Sequence, residues 1–191
     1  DKADLAICGK YVTDGLLEAK MEWFQEDCIM DGKDALEALI NNDIITSHAW
    51  NKLYRRELFD NIEFPHGKLY EDVRIMHRIF ERCKCISICS EYGYYYFQRK
   101  QSITNNQSFQ RKLEYIESFA TRYYDLIDQY PEYKEILIKN IVVSSVLVLS
   151  QGSISSAEKK KYSKEIKDLL VFLKDKDVKN SVKPLLDRKK K

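Results

Sequence analysis

The sequence predicts an α/β domain followed by an α-helical bundle, and three observations carry that prediction. Apolar, β-compatible runs fall at residues 5–12, 85–89 and 92–97, and between the first two lie segments whose apolar residues fall at helical spacing. From residue 106 onward every segment is helix-periodic. The 191 residues are 44% hydrophobic and 12% aromatic, enough to build a real core.

Residues 5–12 are a first strand, closed by the turn residues Thr13, Asp14 and Gly15. Residues 16–29 mix charge with Met21, Trp23 and Phe24 and read as an irregular crossing strand or loop. Asp31-Gly32-Lys33-Asp34 opens a helix over residues 35–40 that ends at Asn41-Asn42. Leu53, Leu58 and Phe59, with basic residues between them, predict a short helix over 52–59 that presents Lys52, Arg55 and Arg56. Phe64-Pro65-His66-Gly67 is a turn. Val73, Met76, Ile79, Phe80 and Cys83 form a helical stripe, so Glu71 and Asp72 occupy the first turn of that helix.

Residues 85–89 alternate at period two, and residues 92–97 form a second aromatic strand with Tyr92, Tyr94 and Tyr96 on one face and Tyr95 and Phe97 on the other. The tyrosine run reads as core strand ahead of sugar platform. Helices are expected over 108–130, 132–150, 157–174 and 178–188, divided by Pro131, Gly152-Ser153 and 175–177. The domain division is therefore 1–105 and 106–191.

The longest apolar run, 141–149, contains Ser144 and Ser145 and falls short of the roughly 20 residues of a membrane span, so it reads as a buried helix. The chain opens on Asp1-Lys2-Ala3-Asp4 without an initiating Met or a leader pattern, and reads as beginning in mid-fold. Five cysteines, an odd number without a CxxC pair, and three histidines without zinc spacing predict reduced, mostly buried thiols, a cytoplasmic location and no metal site. Cys83-Lys84-Cys85 is not read as a soft-metal site, because the first thiol is expected to end a helix and the second to start a strand.

Net charge is +2, but residues 158–191 carry +7 and the rest about −5. That basic tail reads first as a solvated helical face; weak contact with an anionic membrane surface is the alternative, and nucleic acid is not expected.

The densest chemistry lies between Trp50 and Asp72. Acidic residues are favoured in a first helical turn, which gives Glu71-Asp72 a purely structural reading. A hydrolytic pair is disfavoured, since consecutive helical residues diverge by roughly 100° and glycoside hydrolysis needs carboxyls about 5 to 9 Å apart across a substrate. The remaining reading is one general base with a supporting neighbour, kept ionised by the helix N-terminus.

Trp50-Asn51-Lys52-Leu53-Tyr54-Arg55-Arg56-Glu57-Leu58-Phe59, followed by Ile62-Glu63-Phe64-Pro65-His66-Gly67-Lys68-Leu69-Tyr70-Glu71-Asp72, resembles the acceptor-side half of bacterial family 2 glycosyltransferases. Tyr94-Tyr95-Tyr96-Phe97-Gln98-Arg99-Lys100-Gln101-Ser102-Ile103-Thr104 is similar to the segment after that family's catalytic helix. The resemblance covers residues 1–105 and implies the acceptor-side half of a GT-A (Rossmann-like) domain. It also implies inverting transfer of a sugar from a nucleotide-diphosphate donor to a glycan or lipid-linked acceptor in bacterial surface polysaccharide synthesis.

The family's catalytic base then falls on Asp72, with Glu71 as its neighbour. A divalent metal, magnesium or manganese, is implied in the full-length enzyme, with ligands outside this chain. The Asp-x-Asp motif that holds it is missing here, as are the nucleotide-binding strands that precede it, and Asp1 and Asp4 are spaced too widely to replace it. The fragment by itself is therefore expected to be inactive. His66 stands where the family often has an acid or another polar residue, and nothing catalytic is placed on it.

Substrate contacts are assigned to Trp50, by stacking on the acceptor; to Lys52, toward phosphate or acceptor; and to Arg99, by its planar guanidinium. Each also has a structural reading, as core residue, solvated cation and surface ion pair respectively. The rival function is a non-catalytic helical adaptor or membrane-surface module. The exposed sheet edge is left to the C-terminal helices or to a second copy of the chain in a homodimer.

Overall fold

The architecture comes from a computed structural model, which describes residues 2–13, 20–22, 26–42, 44–98, 108–150, 155–175 and 178–179. Two compact units are present, Asp1–Gly67 with Glu71–Asn106, and Lys68–Tyr70 with Gln107–Lys191. The short segment 68–70 thus groups with the helices, which a division at residue 105 does not foresee.

The first unit is mixed α/β. Its five-stranded sheet runs β2 (Lys20–Glu22), β1 (Leu5–Thr13), β5 (Cys85–Phe97), β3 (Cys28–Asp31), with β4 (Lys52–Tyr54) also paired to β1. β1 and β5 are parallel, and the other pairings are antiparallel. Period-two alternation points Leu5 and Ile7 of β1, and Ile86 and Ile88 of β5, to one face, where all four are buried. Helix α1 (Gly32–Asn41) contributes Ala35, Leu36, Leu39 and Ile40 to that core, and α2 (Glu71–Phe80) contributes Val73, Met76, Ile79 and Phe80.

The expected helix at 35–40 starts earlier, because Asp31 Oδ1 accepts from Lys33 N and Asp34 N at 2.9 Å each and nucleates the first turn. It stops where Asn42 turns left-handed at φ 52°. Asp4 ties the sheet together: its Oδ2 accepts from Lys84 N at 2.7 Å and Cys85 N at 3.1 Å. These bonds, the Lys84 amide first, hold its carboxyl below the usual range.

Three expectations are corrected. Residues 52–59 are not a helix but strand β4 followed by a 3₁₀ turn at Arg56–Phe59, because pairing with β1 (Leu5 to Tyr54, Ile7 to Lys52) satisfies the backbone across the sheet. The runs 85–89 and 92–97 are one strand, β5, with register shifts at Cys8/Gly9 and Gly9/Lys10 where β5 carries extra residues. That irregularity separates Tyr92 from Tyr94 and Tyr96. The Tyr92 ring packs on Tyr11 at 4.5 Å, whereas Tyr94 and Tyr96 pack on Trp50.

The second unit holds α3 (Phe109–Leu126), α4 (Lys134–Ser150), α5 (Ser156–Lys161) and α6 (Ser163–Lys174). A 3₁₀ turn at Pro131–Tyr133 leads into α4. The single expected helix over 157–174 is broken at Tyr162, and most of the expected helix over 178–188 lies outside the described residues. The apolar run in α4 is not buried all round: Ile141, Ser144 and Ser145 are, but Val143 and Val146 are exposed. Both serines return their hydroxyls to the helix backbone, Ser145 to Ile141 O at 2.7 Å, which removes the cost of burying them. No helix among the described residues is long and apolar enough to cross a membrane.

Candidate functional site

Strand alternation gives β4 two destinations. Lys52 pairs with Ile7 and points into the helical side, and Leu53 pairs with Ala6 and is 79% exposed on the open face. The Lys52 ammonium is buried and donates to Thr46 O at 2.9 Å, His48 O at 2.6 Å and Asn51 Oδ1 at 3.1 Å. A lysine has three ammonium protons, and here all three meet an acceptor. Lys52 is thus not the solvated, helix-borne cation expected from the sequence; it is the post around which the 46–51 loop is wrapped.

Burial pushes the Lys52 amine down to about 7, and the Lys10 ammonium adds to the effect, while the Asp72 carboxylate opposes it. The Asp72 carboxylate is therefore within electrostatic reach of Lys52. It also acts on Tyr54, whose hydroxyl is held above the ordinary phenol range first by burial and then by Asp72. The Tyr54 hydroxyl donates to Ala49 O at 3.0 Å and lies 3.6 Å from the Met76 sulfur.

Asp72 and Glu71 both lie in the first turn of α2, as their spacing from Val73 and Met76 implies. Their environments differ. Glu71 is exposed, whereas Asp72 is half-buried and its Oδ1 accepts from Val73 N at 2.7 Å. The residue before them, Tyr70, has a left-handed backbone at φ 55°, uncommon for an aromatic residue and a departure from helix geometry at the entry to α2.

A cleft of about 410 Å³ runs along β1, β4 and β5, lined among others by Cys8, Trp50, Lys52, Cys89, Glu91 and Tyr94. Asp72 and Glu71 are not among its lining residues. Trp50 is its central ring, stacked on His48 at 5.0 Å and Tyr96 at 4.9 Å and tilted against Tyr94 at 4.5 Å, with Lys10 Nζ 5.1 Å from its centroid. Asn51 fastens this wall to β1. Its backbone carbonyl accepts from Cys8 N at 3.1 Å, and its Nδ2 donates to Cys8 O at 3.1 Å.

The structure thus brings Trp50 and Lys52 to one cleft and places Asp72 within electrostatic reach of Lys52, and Arg99 lies outside the described residues. Sequence reasoning missed Asn51 and Lys10. Lys10 could have been found as the lone charge in an apolar strand, two residues from Cys8 on the same face; the double role of Asn51 carries no local signal, because its partner is the β1 backbone.

Among the described residues no group of three or more His, Cys, Asp or Glu is arranged to hold a metal ion, so these residues do not fit the divalent cation implied by the resemblance. Only Cys83 of the five thiols is buried; Cys8, Cys85 and Cys89 are half-buried and Cys28 is exposed, contrary to the expectation of mostly buried cysteines. No protein-family model matches the chain, and no curated protein matches its sequence.

Proposed function

We propose that these residues form the acceptor-side part of an inverting, GT-A-type glycosyltransferase acting at the cytoplasmic side of bacterial surface polysaccharide synthesis, with Asp72 as its general base. In that reaction Asp72 takes the proton of the acceptor hydroxyl as its oxygen attacks the anomeric carbon. The bond from that carbon to the nucleotide diphosphate breaks, and the configuration inverts. The donor-binding strands belong to the same enzyme outside these residues.

The observation that supports this most is the asymmetry of the two acids. Asp72 is half-buried at a helix N-terminus, within reach of a buried lysine and a half-buried phenol, while its neighbour faces solvent. A base needs a carboxylate held in one place and kept charged, and the first turn of α2 favours that charge. Lys52 acts by position, holding the 46–51 loop through its bonds to Thr46 O and His48 O.

The test is turnover in the enzyme that contains both portions, with a nucleotide-sugar donor and its acceptor. Asp72→Asn lowers kcat by roughly 10² or more with unchanged folding, whereas Glu71→Gln changes it less than tenfold. Near-normal turnover in Asp72→Asn removes Asp72 from the reaction.

A further inference from the structure

Cys8 and Cys89 are direct partners across the parallel strands β1 and β5. Ile7 and Ile88, one residue earlier on each strand, are 1% and 2% exposed on the helical side, so alternation turns both thiols to the open side. Both line the Trp50 cleft. The Cys8 sulfur also lies close against β5, since a Cβ added to Gly93 would meet it at 2.8 Å.

The strand geometry decides which chemistry suits this pair. Neighbouring strands lie about 4.8 Å apart, and in-register parallel partners hold their Cβ atoms at about that spacing. A disulfide requires Cβ atoms roughly 3.5–4.5 Å apart, so closing one would pull the strands together. Two metal–thiolate bonds of about 2.3 Å in a line set the sulfurs roughly 4.6 Å apart, a separation that side chains on adjacent strands can span. No cluster of three or more ligating side chains is present among the described residues, which leaves no basis for a tetrahedral or octahedral ion. Soft thiolate pairs select d¹⁰ ions such as copper(I).

We propose that Cys8 and Cys89 form a two-thiolate site for a soft, monovalent d¹⁰ cation, entered through the Trp50 cleft. Binding forms two metal–sulfur bonds and releases both thiol protons to solvent, including the one that Cys8 Sγ directs at Asn51 O across 3.5 Å. No electron is transferred. The site's net charge of −1 is met by the Lys10 ammonium, two residues from Cys8 on the same strand face and over the Trp50 ring.

The test is an anaerobic titration of the full chain with copper(I) against a competing chromophoric chelator. Wild type takes one tight equivalent with a two-coordinate sulfur shell in X-ray absorption. Cys8→Ser and Cys89→Ser each weaken that equivalent by roughly 100-fold or more, while Cys28→Ser, at an exposed position, leaves it unchanged. Circular dichroism establishes that each variant is folded, and Cys89→Ser serves alone should Cys8→Ser not fold. Equal binding by wild type and a folded Cys89→Ser variant, a shell of three or more sulfurs, or loss of the site in Cys28→Ser would overturn the proposal.

Discussion

Lys52 shows how one buried side chain couples to pH. Three carbonyl-type acceptors favour its ammonium, yet burial dominates and moves the amine from 10.5 down to about 7. Below pH 7 the lysine is protonated in both the folded and the unfolded chain. Between about 7 and 10.5 the unfolded chain binds a proton that the folded chain has released, so stability rises with pH across that window. Urea denaturation of wild type and Lys52→Met at pH 6.5 and 9.0 measures this. Wild type gains stability relative to the variant as pH rises, and a pH-independent difference between the two would show that the amine keeps its ordinary affinity for the proton. Trp50 belongs to the same scale. Trp50→Ala removes ring contacts with His48, Tyr94 and Tyr96, costs about 1–3 kcal/mol in denaturation, and quenches the near-ultraviolet dichroism of the aromatic cluster.

At the scale of elements, the close contacts lie where helix meets strand. Gly32, the first residue of α1, presses on the chain before β5 so closely that a Cβ there would fall 1.7 Å from Cys83 O. Gly32→Ala must therefore displace backbone, and it lowers stability by about 3 kcal/mol or more. Asp31→Ala, one residue earlier, removes only the cap that accepts from Lys33 and Asp34, and costs about 1 kcal/mol. Comparing the two by thermal denaturation separates contact from capping: equal losses would mean that the Gly32 contact relaxes freely. On β5 the extra residues near Gly93 sort the Tyr92 ring onto Tyr11, while Tyr94 and Tyr96 beyond them pack on Trp50.

At the scale of the molecule, each unit carries its own core. Leu5, Ile7, Ile86 and Ile88 anchor the sheet of the first, while Leu113, Ile116, Ile138 and Ile141 anchor the helices of the second. Local opening follows that distribution. Hydrogen exchange is expected to be slowest at the amides of β1 and β5 that pair Leu5 to Cys8 with Ile86 to Cys89. It is expected to be fast in α5, which has a complete capping box at Ser155 and Glu158 but no buried residue. Strong protection of α5 would contradict this ranking.

The sequence alone determined that residues 5–12 and the run from Cys85 are strands, that α1 and α2 are amphipathic, and that the two acids open α2. Each of these rests on periodicity or end chemistry read within a few residues. Only the tertiary structure decided the rest. Residues 52–54 became a strand because β1 offered them hydrogen bonds, and Lys52 turned inward because its register partner is Ile7. Cys8 met Cys89 because two strands 80 residues apart lie side by side in parallel register. Periodicity records which face of an element is apolar; it holds no record of which element will pair with it, because that choice is made by hydrogen bonds and packing between segments distant in the chain.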